Sequence, residues 1–398
     1  MTRDFQIIHL STSHHGGAGI AARRLHQALL SSGVKSVFVA IDRKGFLPQN
    51  GEVKIYRSII IRLLGSLNSF FSQAISSETY FTLFSIPAMR YKSLQKFGDP
   101  EATIFHVHNW FNLINLRIIR KLLKDGYRLV FTLHDQRLFT GGCHYSLSCN
   151  KYEKECNNCP MLPIPLNRFT KWNLTRTEKI FNQFSNQITI IAPSNWIAQI
   201  GSQSSILRNV PIIPILNNHT ELENLTLFPN RHNKFRSNGK LVLGVASMQK
   251  HAIIKGGQIL KKLEQAIKTE NIPAEVLYLA DFQPTIQSSQ LFWSSIDYLL
   301  VTSIMDNSPN VIHEAKMLGI PVIATNIGGI PELLNFEYDY LVKMNDLMLE
   351  QIIDILKNIL DNPKDINKNR IMENYRLYSE NSLVSLLNLY ESLLVIEN

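Results

Sequence analysis

Asp306 and Glu314 stand eight positions apart in the stretch VTSIMDNSPNVIHEAKMLGIPVIATNIGGIPEL, residues 301–333. An apolar strand ends near Ser303 and a polar turn follows. Ser308, Pro309 and Asn310 are then the residue types that start a helix. A helix opening at Asn310 leaves the amides of Asn310 and Val311 to meet an incoming group, with the positive end of the helix dipole behind them. That suits a diphosphate oxygen. Glu314, one turn further, is placed to accept hydrogen bonds from two vicinal hydroxyls such as those of a ribose. Asp306, in the loop, is placed to meet a second hydroxylated ring. The next strand, IPVIATN, ends in a turn at Gly328 and Gly329 beside the same end of the sheet.

All four cysteines, Cys143, Cys149, Cys156 and Cys159, fall in TGGCHYSLSCNKYEKECNNCP, residues 140–160. Their spacing is C-x5-C-x6-C-x2-C. One C-x-x-C pair with two further thiols can form a closed, structural four-thiolate zinc site. Reduced unliganded thiols and a redox pair are the other readings. A catalytic cysteine has no partner base to point to it. The segment closely follows His134 and Asp135, so it is expected as a loop at the rim of a site.

A third pattern is SHHGGAGIAARRL, a turn that follows the first strand and opens a helix. Gly16, Gly17 and Gly19 permit positive φ and a close approach of backbone to a ligand. The helix start then offers N–H groups to a phosphate or a sugar hydroxyl. The full G-x-G-x-x-G spacing is missing, so the dinucleotide fingerprint is not met, and a purely structural turn is the plain alternative.

The elements that must position these residues follow a βα alternation. FQIIHLS, KSVFVAI, TIFHVH, RLVFTLH and ITIIAPS are short runs rich in β-branched residues, as expected of parallel strands covered on both faces. Between them lie helical stretches such as residues 18–33, where Ile20, Leu25, Ala28 and Leu29 form a stripe and Gly33 supplies the stop. A polar segment near 216–238 interrupts the pattern, which then restarts with KLVLGVAS, AEVLYLA, IDYLLVTS and IPVIATN. Two doubly wound units are expected, with a ligand site in the cleft between them. Residues 347–394 read as helical, broken at Asn362–Pro363. Residues 54–75 read as an amphipathic helix, packed on the first core or lying in a membrane interface.

The totals agree with this. A chain of 398 residues suits two domains, and 45% hydrophobic with 18% charged residues excludes wholesale disorder. MTRDFQIIHLS has no long apolar region of the secretory kind and reads as a buried strand. No run approaches the roughly 18–20 apolar residues of a spanning helix. The expectation is a cytoplasmic protein with reduced thiols. A net charge of +9 favours anionic partners without choosing among them.

On these motifs the sequence resembles the family 4 glycosyltransferases. D-x7-E followed by AKMLGIPVIATNIGGIPEL is similar to that family's donor-binding signature, usually E-x7-E. GGAGIAARRLHQAL resembles its N-terminal glycine loop. FHVHNW, the TLHDQRLFTGGCHY segment with its cysteines and DNSPNVIHEA resemble the subgroup that builds colanic-acid-type and other bacterial surface polysaccharides.

The resemblance implies an α/β fold of the GT-B kind: two facing Rossmann-like domains with an interdomain cleft. An acceptor domain would occupy residues 1–216, with the 54–75 insertion and the 140–160 loop. A donor domain would follow at 217–375, and a helix at 376–398 would pack back on the first domain. The implied activity is a hexosyl transfer from a UDP- or GDP-sugar to a glycan or lipid-linked acceptor, with retention and without a catalytic metal. The site would comprise His134 facing the sugar, Lys255 neutralising the diphosphate, Asp306 on the sugar hydroxyls and Glu314 on the ribose. Gly17, Ala18, Gly19, Lys250, Asn310, Val311, Gly328 and Gly329 would line the donor. No cofactor beyond a structural zinc is implied, nor any nucleic acid. The surplus charge suits peripheral contact with the inner face of the cell membrane.

Three departures from the family pattern stand out. Asp306 is a methylene shorter than glutamate. No arginine precedes the KG lysine, where SMQKHAIIKGG offers Lys250. PILNN replaces P-N-G before the linker. Two other readings stay open at this point: a zinc-containing basic nucleic-acid-binding protein, and a non-catalytic partner subunit of glycosyltransferase type.

Overall fold

The computed structural model describes residues 5–41, 48–56, 81–164, 166–217, 239–247, 252–283, 285–363 and 366–394. The chain divides into two compact units, residues 1–218 with 381–398, and residues 219–380.

The first unit is built on a seven-stranded sheet ordered β3-β2-β1-β4-β5-β6-β7. The strands are β1 Gln6–Ser11, β2 Lys35–Ile41, β3 Glu52–Ile55, β4 Thr103–Asn109, β5 Arg128–Thr132, β6 Ile188–Ala192 and β7 Ile212–Pro214. Every pairing is parallel. A parallel sheet needs cover on both faces, and the two-residue period of a strand shares its apolar side chains between them. Ile8, Leu10, Phe105 and Phe131 join one core with Phe181 and Ile119. Ile7, Ile104 and Val130 turn the other way, into a core with Leu25, Leu29, Leu386, Leu387 and Tyr390. His9, His106 and His108 alternate onto this second face, where His9 and His106 are fully buried and His108 nearly so. Along the Gly16–Ser31 helix Leu25, Ala28 and Leu29 are buried as its stripe requires. Ile20, expected on that stripe, is 36% exposed.

The second unit has a five-stranded sheet ordered β12-β11-β10-β8-β9. Its strands are β8 Leu241–Val245, β9 Ala274–Tyr278, β10 Tyr298–Val301, β11 Val322–Thr325 and β12 Tyr340–Val342. Leu241, Leu243 and Leu300 face one core, with Leu260 and Leu356. Val242, Leu299 and Val301 face the other, with Phe292 and Ile312. The helical tail falls as Met348–Asp361 and Lys368–Leu394, separated around Pro363. Residues of the last helix from 381 onward belong to the first unit.

β3, β7 and β12 are short edge strands of three or four residues, too brief to register as periodic runs in the sequence. The segment proposed as an amphipathic helix begins at Lys54, inside β3, and from 57 onward lies outside the described residues, as do 218–238 of the polar segment. Among the described residues no helix is long and apolar enough to cross a membrane.

Tyr390 ties the final helix to the centre of the first sheet: it is fully buried and its hydroxyl bonds His106 Nδ1 at 2.5 Å. Tyr390→Phe, which removes that bond alone, is expected to cost about 1 kcal/mol. Tyr390→Ala, which empties the ring's volume, is expected to cost about 3–5 kcal/mol. Chemical unfolding of the two full-length variants checks the difference; equal losses would mean that the ring contributes no packing.

Candidate functional site

In an open parallel sheet the crevice for a ligand forms where strand order reverses, beyond the carboxyl ends of the strands. In the second unit that place lies between β10 and β8. The connection after β8 ends in a short 3-10 turn, Ile253–Lys255, before the Gly257–Thr269 helix. The connection after β10 runs from Thr302 to Pro309. Ile304 N–H donates to the Ile254 carbonyl at 3.0 Å, and Thr302 Oγ1–H donates to the Lys255 carbonyl at 2.9 Å. These bonds bring Lys255 Nζ to 2.5 Å from Asp306 Oδ2. The Lys255 side chain is 41% exposed and that of Asp306 11%, so solvent screens the pair and its worth to stability is at most about 1 kcal/mol. Its consequence is positional.

The loop after β11 closes on the same spot. Gly329 N–H donates to the Asp306 carbonyl at 3.2 Å, and Thr325 Oγ1–H donates to the Ser303 carbonyl at 2.6 Å. Gly328 has φ +60°, and a Cβ there would collide with the Asp306 carbonyl oxygen. Only glycine lets the two loops approach so closely.

The helix read from the sequence is present as Asn310–Met317, with Pro309 at its N-cap in extended conformation and no side chain capping the first turn. Its far side is pinned by buried polar contacts. His313 bonds Ser308 Oγ through Nε2 at 2.7 Å and the Tyr375 hydroxyl through Nδ1. Lys316 pairs with Asp339, whose carboxylate also accepts the amides of Val322 at 2.8 Å and Asn335 at 2.7 Å. Asn310, Val311 and Glu314 keep half-buried positions. The second unit thus gathers Lys255, Asp306, Gly328 and Gly329 directly, with the start of the Asn310 helix four residues beyond Asp306. Lys250 lies outside the described residues.

In the first unit the order reverses between β1 and β4. A pocket there is lined by Ala18, His108, Trp110, Phe111, His134, Asp135 and Arg137, among others. Of the predicted glycine-turn residues Ala18 is half-buried on this wall, Gly17 is exposed and Gly19 is buried against the Ser13 carbonyl. Positive φ is found at Gly16 but not at Gly17 or Gly19, so the need for Gly19 is space rather than backbone sign.

His134 Nε2 lies 3.0 Å from His108 Nδ1, and His108 Nε2 lies 3.0 Å from His9 Nδ1. His106 bonds Thr132 Oγ1 at 2.7 Å. Burial disfavours the charged imidazolium, so His106 is lowered to about 3 and His134 to about 4, while His9 and His108 fall well below their ordinary value. Burial would raise the Asp135 carboxyl, but His144 at 2.7 Å and the Arg137 amide at 2.8 Å hold it below the usual range. Arg137, lowered by burial to about 10, remains a cation at neutral pH and stands 4.3 Å over the Phe111 ring. Among the described residues His9, His106 and His108 have metal-capable nitrogens within 4.8 Å of one another.

The four cysteines form no disulfide. Cys143, Cys149, Cys156 and Cys159 line one further pocket, together with Phe81, Tyr152 and Met161. Burial pushes the Cys143 and Cys156 thiols up to about 12. Gly141 N–H donates to Cys156 Sγ at 3.3 Å, and Cys156 and Asn158 adopt φ +44° and +48° in the C-x-x-C turn. The loop joins the His134 segment: Gln136 N–H donates to the His144 carbonyl at 3.0 Å, and Ser146 N–H to Gln136 Oε1 at 2.5 Å.

Sequence reasoning singled out His134 and passed over His9, His106, His108, Arg137 and His144. The signal it had was H-x-H in FHVHNW, two histidines on one face of a strand.

Residues 243–362 match the family described as Glycosyl transferases group 1. The chain is 23% identical over 344 residues to WcaC of Escherichia coli (strain K12), named as a colanic acid biosynthesis glycosyl transferase, covering 80% of this chain and 82% of that one. Among solved structures it resembles Anabaena HepE in complex with UDP and glucose, at TM-score 0.55 and 15% identity, covering 99% of this chain and 100% of that one. It also resembles sucrose-phosphate synthase from Thermosynechococcus elongatus, at TM-score 0.61 and 15% identity over 98% and 99% of the two chains. The fold is GT-B, as expected from the resemblance, and the chain is a glycosyltransferase similar to those of family 4. Within that type its resemblance is to the colanic-acid subgroup.

The buried histidines carry a pH consequence. Their folded-state pKa values lie below the ordinary 6.5, so the unfolded chain binds more protons below that pH. The stability they permit is complete above about pH 6.5 and is lost as pH falls toward 4, at about 1.4 kcal/mol per pH unit for each ring that stays neutral. The melting temperature of the full chain is therefore expected to be level from pH 8 to 7 and to drop from 6.5 to 5. A level curve down to pH 5 would contradict the neutral cluster.

Proposed function

We propose that the chain transfers a hexosyl group from a UDP- or GDP-sugar to a glycan or lipid-linked acceptor, with retention of configuration, in the assembly of a bacterial surface polysaccharide. The observation that carries this reading is the Lys255–Asp306 pair at the strand switch point, next to the start of the Asn310–Met317 helix. A bond from sugar to diphosphate breaks readily only if the charge growing on the leaving oxygens is stabilised. A fixed ammonium and helix amides meet that demand. Lys255 and the amides of Asn310 and Val311 take the diphosphate, with Gly328 and Gly329 admitting it closely. Glu314 takes the ribose. Asp306, which restrains the Lys255 ammonium, takes the sugar hydroxyls. In the other unit His134 is given the sugar, with Gly17, Ala18 and Gly19 in the donor or acceptor set; Lys250 keeps the diphosphate role its sequence position suggests. This chemistry requires no catalytic metal.

Two further parts belong to the reading. The four cysteines would hold a structural zinc and so fix the 140–160 loop; they line one pocket, but no three of their sulfurs lie within 4.8 Å of one another, so the ion would have to draw them together. The protein works in the cytoplasm against the inner face of the cell membrane, which the net charge of +9 favours.

Donor screening by release of free nucleoside diphosphate is expected to find one productive nucleotide sugar. Lys255→Ala should then lose about 10²–10³ in kcat, the usual cost of deleting a charge-stabilising group, and Glu314→Ala should lose turnover with it. Well-folded protein inactive with every donor would favour the partner-subunit reading instead. Purified protein is expected to hold about one zinc per chain by elemental analysis, falling in Cys156→Ser; metal-free wild-type protein of unchanged melting temperature would remove the zinc clasp.

A further inference from the structure

One feature of the first unit exceeds what the proposed roles require. His9, His108 and His134 lie in three adjacent strands or strand ends and form a hydrogen-bonded chain: His9 Nδ1 to His108 Nε2, and His108 Nδ1 to His134 Nε2, each at 3.0 Å. His9 is fully buried, and its Nε2 has no hydrogen-bond partner. His134, half-buried, borders the pocket with Ala18, Trp110, Phe111 and Arg137.

These rings also belong to the group that brings three imidazole nitrogens near one another. A cation would have to break the His9–His108 bond, and both nitrogens of His106 are bonded to Tyr390 and Thr132. Asp135, the nearest carboxylate in sequence, is committed to His144 and the Arg137 amide. The arrangement serves hydrogen bonds better than a metal.

A neutral imidazole has one N–H and one lone pair. Three of them in a row with two bonds between them have only two consistent arrangements. In one, all N–H groups point from His134 toward His9, which strands the His9 Nε2 proton in the core with no acceptor. In the other, they point from His9 toward His134, which leaves only a lone pair at His9 Nε2. Buried N–H groups without partners are rarer in proteins than under-used acceptors, so the second arrangement is preferred. It makes His134 Nε2 an acceptor from His108 and places the His134 proton on Nδ1.

We propose that His108 and His9 are positioning residues that hold His134 as its Nδ1–H tautomer, so that this ring offers the pocket a hydrogen-bond donor and not a base. The group His134 recognises is then an oxygen acting as acceptor, such as a sugar hydroxyl; that last step rests on the sugar role given to His134 above.

The test reads the tautomer directly. In full-length protein labelled with 15N-histidine, long-range 1H–15N spectra are expected to show His134 protonated at Nδ1. His108→Phe, which keeps a ring in place but breaks both bonds, should convert part or all of that signal to the Nε2–H form. His108→Gln should restore it, because the amide can accept from His9 and donate to His134. If His108→Phe fails to fold, His9→Phe removes the far link alone and should loosen the same preference. An Nε2–H tautomer in the wild type, or a tautomer unchanged in a folded His108→Phe, would overturn the proposal. With an active donor in hand, His108→Phe should lower kcat about tenfold, with recovery in His108→Gln. A tautomer that shifts as expected while turnover stays unchanged would uphold the chain of imidazoles and refute the sugar role of His134.

Discussion

The contact between Lys255 and Asp306 depends on strand order before it depends on charge. The two residues are 51 positions apart and meet because β8 and β10 are neighbours at the point where the sheet changes direction. Three loops then converge: Ile254 and Lys255 are held to Thr302 and Ile304 by backbone carbonyls, and Asp306 is held to Gly329 in the same way. The ion pair itself, partly open to water, adds little to stability. What it fixes is the place of a flexible ammonium, which four rotatable bonds would otherwise spread over a wide volume.

The helix that completes this arrangement is oriented from behind. His313 and Lys316 spend their polar groups on Ser308, Tyr375 and Asp339, inside the second unit, and leave Glu314 and the first turn on the less buried side. Such anchoring is what positioning requires, since a helix held by apolar contacts alone can roll with little loss of contact energy. The same division appears in the first unit. His144 and the Arg137 amide engage Asp135, while the cysteine loop that carries His144 is fastened through Gln136. Asp135, on the pocket wall, is thus set in part by His144, which does not line the pocket.

Much of the second unit's site was legible in one contiguous stretch. Ser308, Pro309 and Asn310 announce a helix start by local chemistry, Glu314 follows one turn on, and Gly328 and Gly329 announce a turn; each signal is confined to neighbours in the chain. Lys255 was different. Nothing in IIKGG alone says that its lysine meets an aspartate, and it entered through resemblance. The histidine chain was legible to neither route, because its links join residues in β1, β4 and the end of β5, and a one-residue slip of register would turn His9 or His108 to the opposite face. Lys250, residues 57–75 and most of the polar segment before β8 lie where the structure makes no description.

By itself the sequence determined the alternation of strand and helix, the restart of that pattern after residue 239, the helix start at Asn310 and the clustering of four thiols. These are consequences of hydrophobic period and of side chains acting on their own backbone, and both are short-range. The tertiary structure alone decided which strands are neighbours, and with that which ends meet. Strand order is selected by the burial of whole sheets and helices, a sum over distant residues, so the pairing of Lys255 with Asp306 and of His9 with His108 had no local cause that a linear reading could detect.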